Sequence, residues 1–214
     1  MKLIGGYNSP YVRRVAVTLG FYDMPFARED LTPFGDDKPE VRKYNPLARV
    51  PALVLDDGET LIESGSIIDH LDTMVGPDRA LTPASGPARR QVLKLVSIAS
   101  GATDKLVSAL YEHHLRPKEM VYRPWVDMCD RQVRDGFQWL DSQLTGDWFV
   151  ADRMSQADVT TAVFWQFALG KRPNFMARMN CSNLDALSER LAGTAPFQAA
   201  APGEGLPKGL ALDT

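Results

Sequence analysis

The sequence has few cysteines and no excess of basic residues. Its two cysteines, Cys129 and Cys181, lie far apart and lack CxxC or Cys/His ligand spacing, so we predict neither a disulfide framework nor a zinc or other metal site. A reducing, cytoplasmic setting is expected. With 24 Lys+Arg against 27 Asp+Glu and a net charge of −3, the chain is not expected to bind nucleic acid or an anionic membrane.

Long apolar runs are also lacking. The N-terminus reaches Gly5-Gly6 after one short apolar stretch, without the h-region of a signal peptide, and no later stretch has the length of a membrane span. We therefore expect a soluble, unprocessed protein. Its 214 residues, 44% hydrophobic and 24% charged, suffice for one large domain or two smaller ones.

The first 76 residues alternate between strand and helix patterns. A short strand at 2–4 is followed by a helix that Pro10 opens and that runs to Gly20, and a second strand is predicted within 26–31. A β-α-β unit of this length implies parallel strands. Asp-Gly at 57–58, between two apolar runs, predicts a hairpin. The order of these elements predicts a thioredoxin-like α/β domain over residues 1–76.

The rest of the chain changes in character. Residues 77–87 are rich in glycine and proline and are predicted to be a linker. Residues 88–214 have helical periodicity without strand patterns, which predicts an all-helical bundle. Within it, Ser155 and Asp158 have the spacing of a capping box at the start of a helix. The tail after Pro196 is predicted to be irregular.

One corner of the first domain combines several groups that could bind a ligand. Pro51 begins an apolar strand and must lie at its first position or at a sheet edge, because proline has no N–H to donate. The Val50–Pro51 bond is a candidate cis peptide, which would turn the main-chain groups of Val50 outward. Glu63 and Ser64 lie where the next apolar run gives way to a helix, so a carboxylate, a hydroxyl and free helix N–H groups meet. Such a corner suits a ligand with the charges of an amino acid.

Four stretches resemble the cytosolic glutathione S-transferases. They are SPYVRRV at 9–15, NPLARVPAL at 45–53, ESGSI at 63–67 and the capping box at Ser155. The resemblance covers nearly the whole chain and is to bacterial members with a serine near the N-terminus. It implies a thioredoxin-like glutathione domain, an all-helical second domain and a two-fold homodimer. Two positions depart from the usual pattern, Ala48 in place of glycine and Gly65 in place of a small non-glycine residue.

The resemblance also implies roles for individual residues. Val50 would make main-chain bonds to the cysteinyl part of glutathione beside cis-Pro51, Glu63 and Ser64 would bind the γ-glutamyl ammonium and carboxylate, and Ser9 would hydrogen-bond the thiol sulfur. Glutathione is thus the expected co-substrate. Lowering a thiol pKa from about 8.5 to about 7 needs only about 2 kcal/mol, which one charge-assisted hydrogen bond and a helix N-terminus can supply. For Ser9 the alternative is an ordinary N-cap.

Further residues are weaker candidates. Tyr7, Phe34 and Tyr111 are core residues by default, and the hypothesis is that they line an apolar second-substrate pocket, which this fold places between its domains. Asp104 lies on a helix that faces the partner subunit in the family, and it is predicted to reach the partner's glutathione.

The sequence is compatible with three functions, of which the first is favoured. The first is a transferase that conjugates the glutathione thiolate to small electrophiles, as in detoxification. The second is a glutathione-binding or protein-interaction module without catalysis. The third is an isomerase or peroxide reductase that uses glutathione as a cofactor.

Of the adjacent Arg13 and Arg14, one is predicted to be buried or paired and the other exposed.

Overall fold

The computed structural model describes residues 1–203, which fall into two compact units. The first comprises Met1–Ala84 and Ala192–Gly203, and the second Ser85–Leu191. The sequence-based boundaries differ at two points. Residues 86 and 87, assigned to the linker, open a long helix, because proline is tolerated in a helix's first turn. Residues 192–203, assigned to the helical domain, group with the first unit. The prediction for 204–214 lies outside the described residues.

The first unit contains a four-stranded sheet. Its strands are β1 (Lys2–Ile4), β2 (Ala27–Glu29), β3 (Ala52–Val54) and β4 (Thr60–Ile62), and their order in the sheet is β2-β1-β3-β4. β1 pairs in parallel with β2 and antiparallel with β3, and β3 pairs antiparallel with β4. The predicted β-α-β unit and the hairpin are confirmed, and the strand that follows Pro51 lies beside β1, so the unit has the expected thioredoxin-like sheet.

Helices make up most of the remaining structure. In the described residues the α-helices are α1 (Pro10–Phe21), α2 (Lys38–Val41), α3 (Ser64–Val75), α4 (Gly86–Leu115), α5 (Arg123–Gln143), α6 (Gln156–Lys171), α7 (Pro173–Met176), α8 (Ser182–Ala192) and α9 (Ala195–Ala199). Short 3-10 turns cover Gly35–Asp37 and Lys118–Met120. The second unit contains helices and no strand within Ser85–Leu191, in agreement with the predicted all-helical region.

The segment predicted to be irregular after Pro196 is partly helical, because α9 packs on α1. The Arg13 Nε–H donates to the carbonyl of Ala200 at 3.0 Å, and the rings of Phe21 and Phe197 pack edge to face with centroids 6.4 Å apart. Gly20 allows this close approach, since a Cβ at that position would lie 2.9 Å from the Cβ of Pro196. These long-range contacts, which local sequence patterns do not reveal, fix the end of the first unit.

The capping box at the start of α6 is confirmed. Asp158 is fully buried, and its carboxylate accepts the N–H of Ser155 at 2.8 Å and that of Phe149 at 2.9 Å. Burial raises the pKa of Asp158, and the hydrogen bonds oppose that rise. The box thus ties the loop before α6 to the helix. Elsewhere in this unit, Trp165 packs edge to face on Phe137.

No helix within residues 1–203 has both the length and the apolar character needed to cross a lipid bilayer.

Candidate active site and family membership

The register of the sheet brings the predicted site segments to one edge. Ile4, the last residue of β1, is paired with Ala52, the first of β3, and Ala52 is paired with Ile62, the last of β4. The loop that leaves β1, the residues that precede β3 and the residues that follow β4 therefore lie side by side. These three segments carry Ser9, Val50-Pro51 and Glu63-Ser64.

Ser9 is the N-cap of α1. Its hydroxyl oxygen accepts the N–H of Val12 at a long 3.4 Å, its own N–H donates to the carbonyl of Gly6 at 3.0 Å, and its backbone is extended (φ −81°, ψ 121°). The side chain is half-buried. Accepting a capping bond leaves the hydroxyl proton available to donate to another group. The alternative interpretation as an N-cap is therefore correct as far as it goes, and it does not prevent a second role.

The Val50–Pro51 peptide bond is cis, as the sequence suggested. No group in residues 1–203 hydrogen-bonds to the main-chain N–H or C=O of Val50, so a donor and an acceptor without protein partners border the site. Val50 also packs against the loop after β1, since a Cβ on Gly5 would lie 2.9 Å from the Cβ of Val50 and 2.6 Å from a methyl of Val12. Gly5, at φ +123°, thus allows three segments to meet.

A buried asparagine holds the loop before Val50. The Asn45 Nδ2 donates to the carbonyl of Arg49 at 3.1 Å, and its Oδ1 accepts the N–H of Leu47 at 3.0 Å. Within this loop Ala48 has φ +50°, which explains why glycine is usual there in the family that the sequence resembles. The geometry of this loop is thus built from local side-chain-to-backbone bonds.

The start of α3 has unused hydrogen-bond donors. Glu63 is the N-cap but makes no side-chain capping bond, and no described residue accepts from the N–H groups of Ser64, Gly65 or Ser66. The Ser64 side chain is buried, at 3% exposure, and its hydroxyl makes no hydrogen bond to another described residue. Free N–H groups at the positive end of a twelve-residue helix form a site for a carboxylate.

Glu63 has an unusual backbone, with φ +66° and ψ +119°. A non-glycine residue rarely adopts positive φ, and such strain is concentrated at functional sites. Its side chain is 60% exposed, and its carboxylate lies 3.8 Å from Arg49. This carboxylate is therefore accessible beside the free N–H groups, where it can pair with a cation of the same ligand.

α1 supports both sides of this edge. Val12 packs against Gly5, which Val50 also contacts, and the guanidinium of Arg14 lies 3.5 Å from where a Cβ on Gly65 would be. Arg13 and Arg14 are both buried, at 6% and 4% exposure, so the prediction that one would be exposed is wrong. The physical reason is that α1 is covered on two sides: α9 contacts Arg13, and the start of α3 contacts Arg14.

The weaker candidates occupy both units. In the first unit, Tyr7 is half-buried in the loop after β1 with the guanidinium of Arg28 4.1 Å from its ring centroid, and burial raises the pKa of Tyr7. Phe34 is half-buried just before a 3-10 turn. In the second unit, Tyr111 and Asp104 are exposed on α4. The Arg28–Tyr7 stack was not predicted, because nothing in the sequence links a loop residue to a residue in β2.

Residues 1–203 contain no cluster of three or more His, Cys, Asp or Glu side chains that could hold a metal ion.

Comparison with known proteins identifies the family. Residues 3–78 match the model of the glutathione S-transferase N-terminal domain. Over 180 residues the chain is 31% identical to maleylacetoacetate isomerase of Pseudomonas aeruginosa, and the match covers 74% of this chain and 77% of that protein. The chain belongs to the glutathione S-transferase family. Solved structures of this family give the same fold along nearly the whole chain.

Several of those glutathione S-transferase structures contain glutathione or a derivative of it. The enzyme of Methylobacterium radiotolerans, solved in complex with glutathione sulfonate, is 26% identical with a TM-score of 0.86, and the match covers 96% of both chains. A family member from Pseudomonas fluorescens Pf-5 with bound glutathione is 28% identical with a TM-score of 0.83, covering 94% of this chain and 98% of that one.

Other relatives match over shorter segments. The uncharacterised GST-like protein YibF of Escherichia coli is 33% identical over 105 residues. The chain spans 50% of the length of YibF, and 64% and 47% of two probable maleylacetoacetate isomerases of Drosophila melanogaster.

Proposed function

We propose that this protein is a glutathione transferase of the serine type, which activates the thiol of glutathione and transfers the tripeptide to small electrophiles. The observation that carries the proposal is the sheet edge itself. It combines the main-chain N–H and C=O of Val50, which have no protein partner, with free N–H groups at the start of α3 and a donor hydroxyl at Ser9. Family members with glutathione or glutathione sulfonate bound have the same fold.

Each part of glutathione has a complementary group in this proposal. The γ-glutamyl carboxylate binds the N–H groups and hydroxyl at Ser64, and the γ-glutamyl ammonium pairs with the Glu63 carboxylate. The cysteinyl N–H and C=O form hydrogen bonds with the main chain of Val50, beside Pro51. The ligand thus pairs with the protein as a short strand would. The cysteinyl sulfur then lies at the first turn of α1, near the hydroxyl of Ser9.

The chemistry is nucleophilic attack by a stabilised thiolate. The thiol proton leaves to solvent, the thiolate donates an electron pair to the electrophilic carbon to form a C–S bond, and a leaving group such as halide departs with its bonding pair. Ser9 donates a hydrogen bond to the anion and does not itself become covalently bound. Such a bond contributes about 1.5–3 kcal/mol, equal to a thiol pKa about 1–2 units lower.

The decisive experiment titrates the thiol of bound glutathione by its thiolate absorbance. In Ser9→Ala the pKa of bound glutathione should rise by about 1–2 units, and conjugation of an aryl halide should slow at neutral pH and recover at high pH. Ser9→Thr keeps the hydroxyl and should behave like the wild type, while Ser142→Ala removes an exposed serine of α5 as a control. An unchanged pKa in Ser9→Ala would exclude Ser9 from thiol activation.

A second candidate function is a glutathione-dependent isomerase. It is favoured by the 31% identity to the maleylacetoacetate isomerase of Pseudomonas aeruginosa. The same thiolate would add to an electrophilic double bond, allow rotation about the resulting single bond and leave again. Conjugation consumes one thiol per turnover and isomerisation consumes none, so titration of free thiol during turnover of a cis-enone distinguishes the two.

We place the remaining candidates within this function. Tyr7, Phe34 and Tyr111 are proposed to contact the electrophile, and Asp104 is proposed to contact glutathione of a partner subunit. A homodimer is proposed from the family resemblance, and the exposed apolar side chains Met74 on α3 and Leu93 on α4 are consistent with it. Sedimentation at the mass of one 23.7-kDa chain at micromolar concentration would exclude the dimer. The proposed setting is the cytoplasm.

A further inference from the structure

A cleft opens within the second unit, between the end of α4 and the start of α5. We call it the α4–α5 cleft. It has a volume of about 320 Å³ and is lined by Glu112, Arg116, Tyr122, Pro124, Trp125 and Met128. This volume is at the lower end of the range for small-molecule sites and suits a ligand of one or two rings. None of the residues assigned to glutathione or to the electrophile lines it.

The cleft contains one anchored cation. The Nε of Arg116 lies 2.7 Å from Glu112 Oε1, and the Arg116 side chain is 51% exposed. No hydrogen bond joins its two terminal nitrogens to any group in residues 1–203. The ion pair therefore fixes the guanidinium through one nitrogen and leaves donors that match the geometry of a carboxylate.

The carboxylate of Glu112, beside Arg116, is already bonded to groups of the protein. The Glu112 side chain is only 10% exposed, and its Oε1 also accepts the main-chain N–H of Tyr122 at 3.1 Å. That bond, followed by the bond from Arg116, holds the pKa of Glu112 below its usual value. Glu112 thus positions Arg116 and the start of α5. Because its charge is balanced within the protein, it leaves little attraction for a cationic ligand.

The walls of the cleft are aromatic and apolar. Trp125 is half-buried and packs against the buried cluster of Ala109, Val126 and Cys129, which holds its ring in place. Tyr122 is 64% exposed, and the thioether of Met128 is half-buried. The Lys105 ammonium lies 5.3 Å from the Trp125 ring centroid and adds positive charge nearby. A rigid indole, an open phenol ring and a thioether together favour a planar aromatic group.

We propose that the α4–α5 cleft binds a small aromatic carboxylate, with its ring against Tyr122, Trp125 and Met128 and its carboxylate on the free nitrogens of Arg116. A neutral aromatic ligand would not form this ion pair. The site lies wholly within the helical unit and does not depend on the proposed transferase function.

Isothermal titration calorimetry with 1-naphthylacetate and its neutral analogue 1-naphthylacetamide tests the proposal. The wild type should bind the acetate, and the amide should bind about tenfold more weakly, because its neutral carbonyl cannot form the bidentate ion pair with Arg116. Arg116→Gln should weaken the acetate about tenfold and the amide much less, so that the two ligands bind alike, which assigns the difference to this side chain. Arg131→Gln, an exposed arginine elsewhere on α5, is the matched control and should bind both ligands as the wild type does.

A second variant tests the aromatic wall. Tyr122→Ala keeps the main-chain N–H that donates to Glu112, so it should fold normally and weaken both ligands by several-fold. Saturating glutathione should not change either affinity. Equal binding of acetate and amide, wild-type binding by Arg116→Gln, competition with glutathione, or no heat at millimolar ligand would each overturn the proposal. A glutathione titration of the same samples reports the transferase site separately, so failure at one site is distinguishable from failure at the other.

Discussion

Replacement of Glu63 by glycine should stabilise this protein although it weakens the proposed function. Glu63 has φ +66° and ψ +119°, and its side chain is 60% exposed. The strain at this residue therefore comes from its Cβ, and burial of its side chain does not compensate for it. Glycine has no Cβ and takes positive φ at a lower steric cost.

The expected gain follows from three opposing effects. A residue held in such a conformation costs about 1–3 kcal/mol, which glycine would recover. Glycine loses more backbone entropy on folding, about 0.5–1 kcal/mol. The side chains of Glu63 and Arg49 are both more than half exposed, so loss of their 3.8 Å ion pair removes less than about 1 kcal/mol of stability. We therefore expect Glu63→Gly to raise the free energy of unfolding by about 1 kcal/mol.

Urea unfolding followed by circular dichroism measures the effect. Glu63→Ala is the control, since it removes the same carboxylate and keeps the Cβ, and it should be no more stable than the wild type. Under the proposed function both variants should bind glutathione more weakly, by similar factors. A Glu63→Gly protein that is as stable as the wild type or less stable would refute the argument from backbone strain.

Two further predictions concern buried charges in the helical unit. Lys171 is 5% exposed, no carboxylate in the described part of the chain pairs with it, and burial lowers its pKa from 10.5 to about 8. The unfolded chain holds this proton up to about pH 10.5 and the folded protein releases it near pH 8, so the free energy of unfolding should rise between these pH values. Lys171→Met should add up to about 3 kcal/mol to the free energy of unfolding at pH 7 and should remove that rise. Identical pH profiles of unfolding for the variant and the wild type would contradict this. Asp158→Ala leaves the N–H groups of Phe149 and Ser155 without an acceptor and should cost about 3 kcal/mol in urea unfolding, and Asp158→Asn, which keeps one oxygen, should cost less. A loss below about 1 kcal/mol for Asp158→Ala would be inconsistent with a buried capping box.

The sequence predicts those parts of the fold and site that local chemistry determines. Ser9 next to Pro10 specifies a helix start, and the Ser155–Asp158 spacing specifies a capping box, because the groups that bond are within a few residues of each other. The hairpin at 57–58 follows from the preference of Asp-Gly for tight turns, in which the glycine takes positive φ, and Gly58 has φ +91°. In each case the partner of the bonding group is close in the sequence.

Long-range packing could not be predicted in this way. The burial of both Arg13 and Arg14 depends on α9 and α3, which approach α1 from distant parts of the chain. The helical character of the segment after Pro196 depends on the same contact, since a five-residue helix is not stable by itself. The ring of Tyr7 is covered by Arg28 for a similar reason. Local periodicity contains no information about which distant element will cover a residue.

The start of α3 differs from the starts of α1 and α6 in its capping. A helix N-terminus normally gains about 1 kcal/mol from a capping side chain, and the first residues of α1 and α6 both have one. At α3 the N-cap residue is instead a glutamate at positive φ whose side chain makes no capping bond. The protein thus gives up a stabilising interaction and accepts backbone strain at the same residue. Both costs leave the N–H groups of residues 64–66 free at the sheet edge, which is the arrangement that a ligand carboxylate needs. A helix start selected only for stability would have a serine or aspartate in the extended conformation, as at Ser9 and Ser155.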